Sequence, residues 1–163
     1  MNSKTILLVE DDPNDRLFFS RAAQKAGITA PVQAVSDGQE AIDYISGAGA
    51  FAERTRYPLP DLVVLDLKLP LATGFEVLRS LRGRADTRYV PVVILTSSQN
   101  ETDIAQAYTL GANGFLVKPS SPEKLLNVVL ALKDFWLTHN HTYYAVPPAG
   151  SNPANGHNAS HTL

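Results

Sequence analysis

Apolar runs and amphipathic segments alternate along residues 4–137 of the chain. The apolar runs are short and β-branched, which is typical of parallel strands covered on both faces. The predicted strands lie near 5–9, 32–35, 61–66, 91–95 and 114–117, and the predicted helices near 14–26, 38–46, 74–83, 101–110 and 122–138. Five strand–helix units in series predict an α/β fold, a doubly wound five-stranded parallel sheet with helices on both faces.

The ends of these helices carry recognisable signals. Asp12 precedes Pro13, which is typical of a capping acid followed by proline at the first helical position. Ser121 precedes Pro122 in the same way, and Asn100 offers another cap. Glycines stand where three helices should stop, at Gly27, Gly83 and Gly111.

Two stretches depart from the alternation. Residues 46–60 hold two glycines and two prolines, which predicts a long, partly irregular connection. From residue 139 the chain is mostly polar, so we expect one domain over 1–138 and a disordered tail over 139–163. The tail contains all four histidines: His139, His141, His157 and His161. Their spacing matches no metal motif, which favours a polar tail over a metal site or a kinase-type histidine.

Composition narrows the possible function. The net charge is −2, with 44% hydrophobic and 18% charged residues, so nothing indicates nucleic acid or a membrane as a partner. The absence of cysteine excludes disulfides and thiolate metal sites. The first apolar run is too short for a signal peptide or a membrane span. We therefore expect a cytoplasmic protein.

Polar residues follow four of the predicted strands. Glu10 and Asp11 end the first, Asp66 the third, Thr96 the fourth and Lys118 the fifth. Ligands of open parallel sheets bind beyond the carboxyl ends of the strands, and there the three acids would converge if the first and third strands are neighbours. Carboxylates this close need a cation, and hard oxygen ligands favour Mg²⁺, or else Mn²⁺.

The residues gathered at this edge of the sheet could carry a phosphoryl group on an aspartate. Asp66 would attack the phosphoryl group, while Lys118 supplies positive charge and Thr96 a hydrogen bond to its oxygens. Asp12 could add a metal ligand, but Asp-Pro at a helix start favours a cap. These parts make Asp66 the predicted phosphoacceptor.

With these residues in this order, the chain resembles the receiver domain of two-component response regulators, the CheY-like family. The resemblance covers residues 4–137 and rests on Val9–Pro13, Asp37–Ala41, Pro60–Asp66, Pro70, Gly74, Pro91-Val92, Thr96, Gly111-Ala112 and Phe115–Pro119. It implies a flavodoxin-like sheet with strand order 2-1-3-4-5. It also implies that a sensor histidine kinase donates the phosphoryl group.

The resemblance also assigns site residues. It implies that Glu10, Asp11 and Asp66 bind Mg²⁺ together with the backbone carbonyl of Lys68. It implies that Thr96 is the switch hydroxyl, that Lys118 contacts the phosphate, and that Phe115 is the aromatic that rotates with Thr96. The Lys118–Pro119 bond is typically cis in this family.

A narrower resemblance is to single-domain regulators that pair with bacterial and cyanobacterial phytochromes. It rests on Asp37–Ala41, the long connection near 46–60, Leu67–Pro70, Gly111–Asn113 and Phe135-Trp136. Relatives often carry Asn where Lys68 stands. Side chains there and at Ser98 affect the lifetime of the phosphoryl group.

Such a chain would transmit its signal by contacts that the receiver domain itself makes with a partner, because no second folded domain is predicted after Trp136. On the last helix, one apolar stripe can cover the sheet: Leu125, Val128, Val129, Leu132 and Trp136. A second stripe lies about 100° around the helix, at Leu126, Leu130 and Leu137. It suggests a homodimer through the fourth helix, fifth strand and fifth helix, or else a wide apolar helix that covers more core.

We therefore expect a stand-alone response regulator, a signalling protein rather than an enzyme. An aspartate-nucleophile phosphatase would also use a strand-end Asp with Mg²⁺. That chemistry usually needs an acid two residues after the nucleophile, where this chain has Lys68. A receiver-shaped interaction module that is never phosphorylated is the other alternative, and the complete set of acids, Thr96 and Lys118 disfavours it.

Overall fold

The computed structural model describes residues 4–144. A five-stranded parallel sheet lies at its centre in the order β2-β1-β3-β4-β5, which confirms the predicted fold. The strands are β1 (Ile6–Val9), β2 (Val32–Val35), β3 (Leu62–Leu65), β4 (Val92–Thr96) and β5 (Gly114–Val117). The helices are α1 (Pro13–Lys25), α2 (Gly38–Ser46), α3 (Gly74–Gly83), α4 (Glu101–Thr109) and α5 (Pro122–Leu132).

Side chains of each strand alternate between two hydrophobic layers. In β1, Leu7 and Val9 belong to the core under α2, α3 and α4. Ile6 and Leu8 belong to the core under α1 and α5. All four are buried, because both faces of the sheet are covered by helices.

The helix ends follow the sequence signals in most places. The side chain of Asp12 caps α1, and that of Ser121 caps α5 by accepting from the Lys124 amide at 3.2 Å. Asn100 occupies the cap position of α4, but within the described residues its side chain makes no capping hydrogen bond. Gly27 and Gly111 end helices with positive φ angles of 68° and 97°.

The connection between α2 and β3 is more ordered than its composition suggests. It contains a 3₁₀ turn at Gly49–Phe51. The Arg54 guanidinium donates to the Tyr44 and Ile45 carbonyls, at 2.6 Å each, and so satisfies the last turn of α2. The Tyr44 hydroxyl donates to the Pro58 carbonyl at 2.8 Å. These bonds hold both ends of the connection against the domain.

The last helix differs from its prediction over 122–138. Regular α-helix ends at Leu132, and the chain continues as a π-helical segment over Lys133–His139. The Asn140 amide donates to the Phe135 carbonyl at 2.7 Å, a bond that spans five residues. The wider turn lets Trp136 and Leu137 both pack against the same core.

This packing corrects the predicted second apolar stripe. Leu126 and Leu137 are partly buried against the core under α1 and α5, as a wide apolar helix would be. Only Leu130 of the three is exposed, at 41%. The predicted stripe is therefore not a continuous surface.

Residues 140–144 lie beyond the predicted end of the domain at residue 138 and contact it. The Lys4 amine donates to the carbonyls of Leu137 and Asn140. The Tyr144 hydroxyl donates to Asp61 at 2.6 Å. The rest of the tail, residues 145–163 with His157 and His161, lies outside the described residues, and so does the disorder predicted for it. No helix in the described range is long and apolar enough to span a bilayer.

Candidate phosphoryl-acceptor site

Three acids meet at the carboxyl end of the sheet. Strands β1 and β3 are neighbours with Val9 opposite Leu65, and the Asp66 amide donates to the Val9 carbonyl at 3.0 Å. Glu10, Asp11 and Asp66 each offer a carboxylate oxygen within 4.8 Å of the others. Glu10 and Asp66 are buried and Asp11 is exposed. The predicted convergence of these acids is confirmed.

Asp12 lies next to this cluster but serves α1. Its Oδ1 atom accepts from the Asn14 amide at 2.7 Å and from the Asp15 amide at 3.4 Å. It is absent from the set of acids that converge in the described residues. Its observed contacts are those of the helix cap that the sequence favoured.

The pKa of Glu10 is raised from 4.5 to about 7. Burial is the main cause, since it disfavours the charged form, and the nearby charge of Asp66 adds to it. The hydrogen bond from Lys118 and the Asp12 amide, which donates to Glu10 at 3.1 Å, act in the opposite direction. A compensating cation would therefore favour the charged form of Glu10.

Lys118 provides positive charge inside the cluster. Its Nζ atom lies 2.9 Å from a carboxylate oxygen of Glu10, of Asp66 and of Asp15. Burial alone would lower the pKa of Lys118, but the hydrogen bonds to these acids outweigh it and raise that pKa above its ordinary value. The amine stays protonated and bridges the strand ends to α1.

Asp15 is the member of this arrangement that the sequence analysis missed. It lies in the first turn of α1, where an acid is ordinarily explained by the helix dipole. Nothing in the local pattern indicates that the turn faces the end of β5. Arg16 fixes this turn, because its Nη1 donates to the carbonyls of Glu10 at 2.8 Å and Asp11 at 3.0 Å.

The two oxygens of Asp66 have different partners. Oδ1 accepts from the amides of Leu67 at 2.7 Å and Lys68 at 3.4 Å. Oδ2 contacts Lys118. These bonds fix the orientation of the carboxylate at the end of β3. The Lys68 side chain is exposed, and metal binding by its carbonyl stays a prediction.

The loop after Asp66 is held against α2. The Gly38 amide donates to the Pro70 carbonyl at 3.2 Å, and a β-carbon at Gly38 would lie 1.9 Å from the Ala72 carbonyl oxygen. Leu71, 83% exposed, has a φ of 69°, a left-handed conformation that a side chain disfavours. This strained residue lies in the loop that joins Asp66, the predicted phosphoacceptor, to the start of α3.

Thr96 ends β4 and is fully buried. Its Oγ1 accepts from the Ser98 amide at 3.4 Å. The Ser98 hydroxyl in turn bonds to Asp103 in the first turn of α4. The loop that follows Thr96 is thus tied to α4.

Phe115 lies on β5 opposite Ile94 and packs, partly buried, against the core under α2, α3 and α4. Its rotation with Thr96 stays a prediction. The expected cis bond before Pro119 is wrong for this structure, because no described peptide bond is cis. Trans is the more stable form of such bonds, by about 0.5–1 kcal/mol.

The residues present fit a small divalent cation. Three carboxylates from the ends of two adjacent strands supply the hard oxygen donors that Mg²⁺ and Mn²⁺ prefer. Glu10 and Asp66 are 3% and 6% exposed, so water offsets little of their mutual repulsion. A divalent ion bound by these acids would offset that repulsion.

Comparison with known proteins agrees with this geometry. The sequence profile of the response regulator receiver domain matches residues 6–130. The chain is 37% identical over 138 residues to the probable methanogenesis regulatory protein FilR2 of Methanothrix harundinacea, covering 83% of this chain and 84% of that protein. It is 34% identical over 134 residues to response regulator Rcp1 of Synechocystis, covering 82% of this chain and 89% of Rcp1.

Solved structures give the same result. The phosphorylated cyanobacterial phytochrome response regulator RcpA superposes with a TM-score of 0.79 at 34% identity, over 85% of this chain and 97% of RcpA. The Mn²⁺-bound form of Rcp1 superposes with a TM-score of 0.77 at 32% identity, over 86% of this chain and 99% of Rcp1. The phosphorylated and metal-bound states belong to those relatives.

Proposed function

This chain belongs to the response regulator receiver domain family, and we propose that it is a phosphoryl-accepting switch with Asp66 as the acceptor. The observation that carries the proposal is the position of Asp66. Its carboxylate is buried at a strand end, oriented by two backbone amides and contacted by Lys118 at 2.9 Å. These contacts fix one carboxylate oxygen in place and put a positive charge beside it, which is the arrangement that acceptance of a phosphoryl group requires.

A histidine kinase is the proposed donor. In the transfer, the phosphorus–nitrogen bond of phosphohistidine breaks, and the imidazole nitrogen keeps the electron pair and takes a proton. A phosphorus–oxygen bond forms to Asp66, which becomes an acyl phosphate. Lys118 would hold a phosphoryl oxygen by its charge, and Thr96 would donate a hydrogen bond to another.

Glu10, Asp11 and Asp66 are the proposed ligands of Mg²⁺, with Mn²⁺ as a substitute and the Lys68 carbonyl as a fourth protein ligand. The ion would neutralise charge on the acids and on the incoming phosphoryl group. The support is the convergence of the three carboxylates and the Mn²⁺-bound form of Rcp1. Asp12 is left out because its side chain caps α1.

The proposed response starts at Thr96 and Phe115. A hydrogen bond from Thr96 to the phosphoryl group would draw its loop toward Asp66, and Phe115 would move into the space vacated. The bond between Ser98 and Asp103 would pass this shift to α4. Phosphate contacts would favour one of two loop arrangements, which changes the surface presented by α4, β5 and α5.

Homodimerisation through α4, β5 and α5 is part of the proposal. Each of these elements exposes a large apolar side chain: Tyr108 at 51%, Val117 at 41% and Leu130 at 41%. Strand β5 is an edge strand of the sheet, so the flanking helices and this strand share one side of the molecule. Apolar residues gathered on one side favour burial against a partner.

We propose a bacterial phytochrome as the kinase that supplies the phosphoryl group, in the cytoplasm. RcpA, a phytochrome response regulator, supports this input. The test is phosphotransfer from a purified phytochrome kinase under red and far-red light, with a histidine kinase of another input class as control. Equal, light-independent transfer from both kinases would contradict the phytochrome assignment.

Intact mass spectrometry tests phosphorylation itself. The chain is incubated with acetyl phosphate and Mg²⁺, and we expect one labile phosphoryl group, absent in Asp66→Asn and without Mg²⁺. Asp134→Asn, at an exposed acid, is the matched control and should be modified like the wild type. If folded wild type takes up no phosphoryl group from acetyl phosphate or from a kinase, the chain is an unphosphorylated interaction module.

Size-exclusion chromatography of the same samples tests the dimer. We expect phosphorylated protein to elute earlier, and Leu130→Glu to abolish the shift while still accepting the phosphoryl group. Leu17→Glu, at an exposed leucine of α1, is the control and should keep the shift. A shift that survives Leu130→Glu and is lost in Leu17→Glu would move the interface to α1.

A further inference from the structure

Lys118 is shared by three acids, and one of them lies outside the metal cluster. An ammonium group has three N–H donors, and the oxygens of Glu10, Asp66 and Asp15 at 2.9 Å each engage all of them. Glu10 and Asp66 belong to the group of acids that can hold a metal, and Asp15 does not. Asp15 is therefore the acid whose bond to Lys118 is independent of the metal.

The reaction would change the other two partners. A metal would draw charge from Glu10 and Asp66, and an acyl phosphate converts one oxygen of Asp66 into an ester-like oxygen with little negative charge. Lys118 would then turn its freed N–H groups toward the phosphoryl oxygens. An amine on a flexible four-carbon chain needs a fixed anchor to stay in place during this exchange.

Asp15 has the rigid support that an anchor needs. Its backbone amide donates to the Asp12 side chain in the cap of α1. The next residue, Arg16, bonds to the carbonyls of Glu10 and Asp11 and so ties this turn to the acids. The Asp15 carboxylate is 38% exposed and those of Glu10 and Asp66 about 5%, so it loses less hydration in contacting the amine.

We propose that Asp15 is a positioning residue that holds the Lys118 ammonium over Asp66 during phosphoryl transfer. The inference rests on the proposed function. Asp15 touches neither the phosphoryl group nor the metal in this scheme and acts only through Lys118. Loss of the Asp15 carboxylate would leave the Lys118 ammonium free to rotate into solvent on the α1 side. Part of the positive charge of Lys118 would then no longer face the transferred phosphoryl group.

The test is the rate of phosphorylation by acetyl phosphate with saturating Mg²⁺, which avoids any effect of α1 on kinase docking. We expect Asp15→Asn to lower the rate constant about tenfold. Asp15→Glu should restore most of the rate, because it returns a carboxylate to the same amine. Glu123→Gln removes an exposed acid from the first turn of α5 and should leave the rate unchanged.

A double variant separates positioning from a general effect. In a Lys118→Met background, Asp15→Asn should change the residual rate by less than twofold, because the anchored amine is gone. An equal loss in both backgrounds, a full rate in Asp15→Asn, or failure of Asp15→Glu to exceed Asp15→Asn would overturn the inference. A wild type that is never phosphorylated would instead contradict the proposed function.

A second readout needs no phosphorylation. The hydrogen-bonded ammonium protons of Lys118 should exchange slowly enough to give a ¹H–¹⁵N cross-peak in the metal-free protein. We expect that cross-peak to vanish in Asp15→Asn and to remain in Glu123→Gln. A cross-peak that persists in Asp15→Asn would show that Glu10 and Asp66 suffice to hold the amine, and the anchor would be disproved.

Discussion

Gly74 lies against the backbone of Asp66 so closely that a β-carbon there would be 2.3 Å from the Asp66 carbonyl oxygen. The same atom would lie 2.7 Å from the Leu67 Cα, and the Gly74 amide donates to the Leu67 carbonyl at 2.9 Å. The start of α3 thus packs directly on the backbone of the proposed phosphoacceptor. Position 74 controls where Asp66 can lie.

Gly74→Ala should therefore displace Asp66 or α3. We expect a loss of roughly 1–3 kcal/mol in the free energy of unfolding, as for overpacking, and slower phosphorylation by acetyl phosphate. Gly83→Ala is the matched control at the other end of α3, where nothing lies within 4 Å of the added carbon. It should be neutral or stabilising by up to about 1 kcal/mol. Equal urea denaturation curves for the two variants would refute the close-approach explanation.

Glu10 makes metal binding depend on pH. Because its pKa is raised to about 7, mainly by burial, the metal must displace a proton below that pH. We expect the Mg²⁺ affinity from calorimetry to rise roughly tenfold per unit up to about pH 7 and then level off. Glu10→Gln should bind Mg²⁺ more weakly with a flatter profile, whereas Glu123→Gln should behave as wild type. An affinity that falls with rising pH would contradict this assignment.

The raised pKa of Glu10 also makes the stability of the metal-free protein depend on pH. A carboxyl group whose pKa is raised on folding binds its proton more tightly in the folded state than in the unfolded state. Its contribution to the free energy of unfolding is therefore fully present below pH 4.5 and is lost as the pH rises to about 7. Urea denaturation of wild type and Glu10→Gln across this range measures this fall in the free energy of unfolding. The fall due to Glu10 should be absent in the variant.

Arg82 joins α3 to the loop between α4 and β5. Its guanidinium donates to the Gly111 carbonyl at 2.7 and 3.0 Å, to the Val90 carbonyl at 2.8 Å and to Asn113 at 3.0 Å. Burial lowers its pKa, although the group stays charged. Arg82→Met would leave these oxygens without their donor, and we expect a loss of about 2–3 kcal/mol in the free energy of unfolding.

Arg79 on the same helix provides the comparison. It is exposed, so Arg79→Met should change the free energy of unfolding by no more than about 0.5 kcal/mol. Thermal and urea denaturation of the two variants would measure the contrast. If both variants lose the same stability, the contribution comes from the charge of α3 and not from the bonds of Arg82.

The sequence predicts those parts of the molecule that depend on local pattern and on strand ends. The parallel strands follow from short apolar runs, and polar residues at the ends of four of them mark the candidate site. The strand order that makes β1 and β3 neighbours, and so brings Glu10, Asp11 and Asp66 together, was implied by the resemblance to the receiver family and not by the apolar pattern. The contact between Asp15 and Lys118 joins residues 103 positions apart, and no periodicity encodes it. The π-helical turn after Leu132 was missed because apolar spacing does not report which backbone bonds form.

Residues 140–144 are a further segment whose contacts the pattern does not predict. Their composition is polar, yet two aromatic residues of this segment lie against the domain. The Tyr143 ring meets the Tyr89 ring edge-on at 5.3 Å, and the Tyr144 hydroxyl donates to Asp61 at 2.6 Å. Asp61 also accepts from the Thr5 amide at 2.8 Å, so this bond reaches the start of β1.

Tyr144→Phe should remove that bond without removing the ring. Burial and the Asp61 carboxylate raise the pKa of the Tyr144 phenol above its ordinary value, so it donates throughout the neutral range. We expect a loss of about 1 kcal/mol in the free energy of unfolding and faster hydrogen exchange in residues 140–144. Tyr143→Phe keeps its ring contact with Tyr89 and should show neither change. Unaltered exchange in Tyr144→Phe would mean that the bond to Asp61 does not hold this segment in solution.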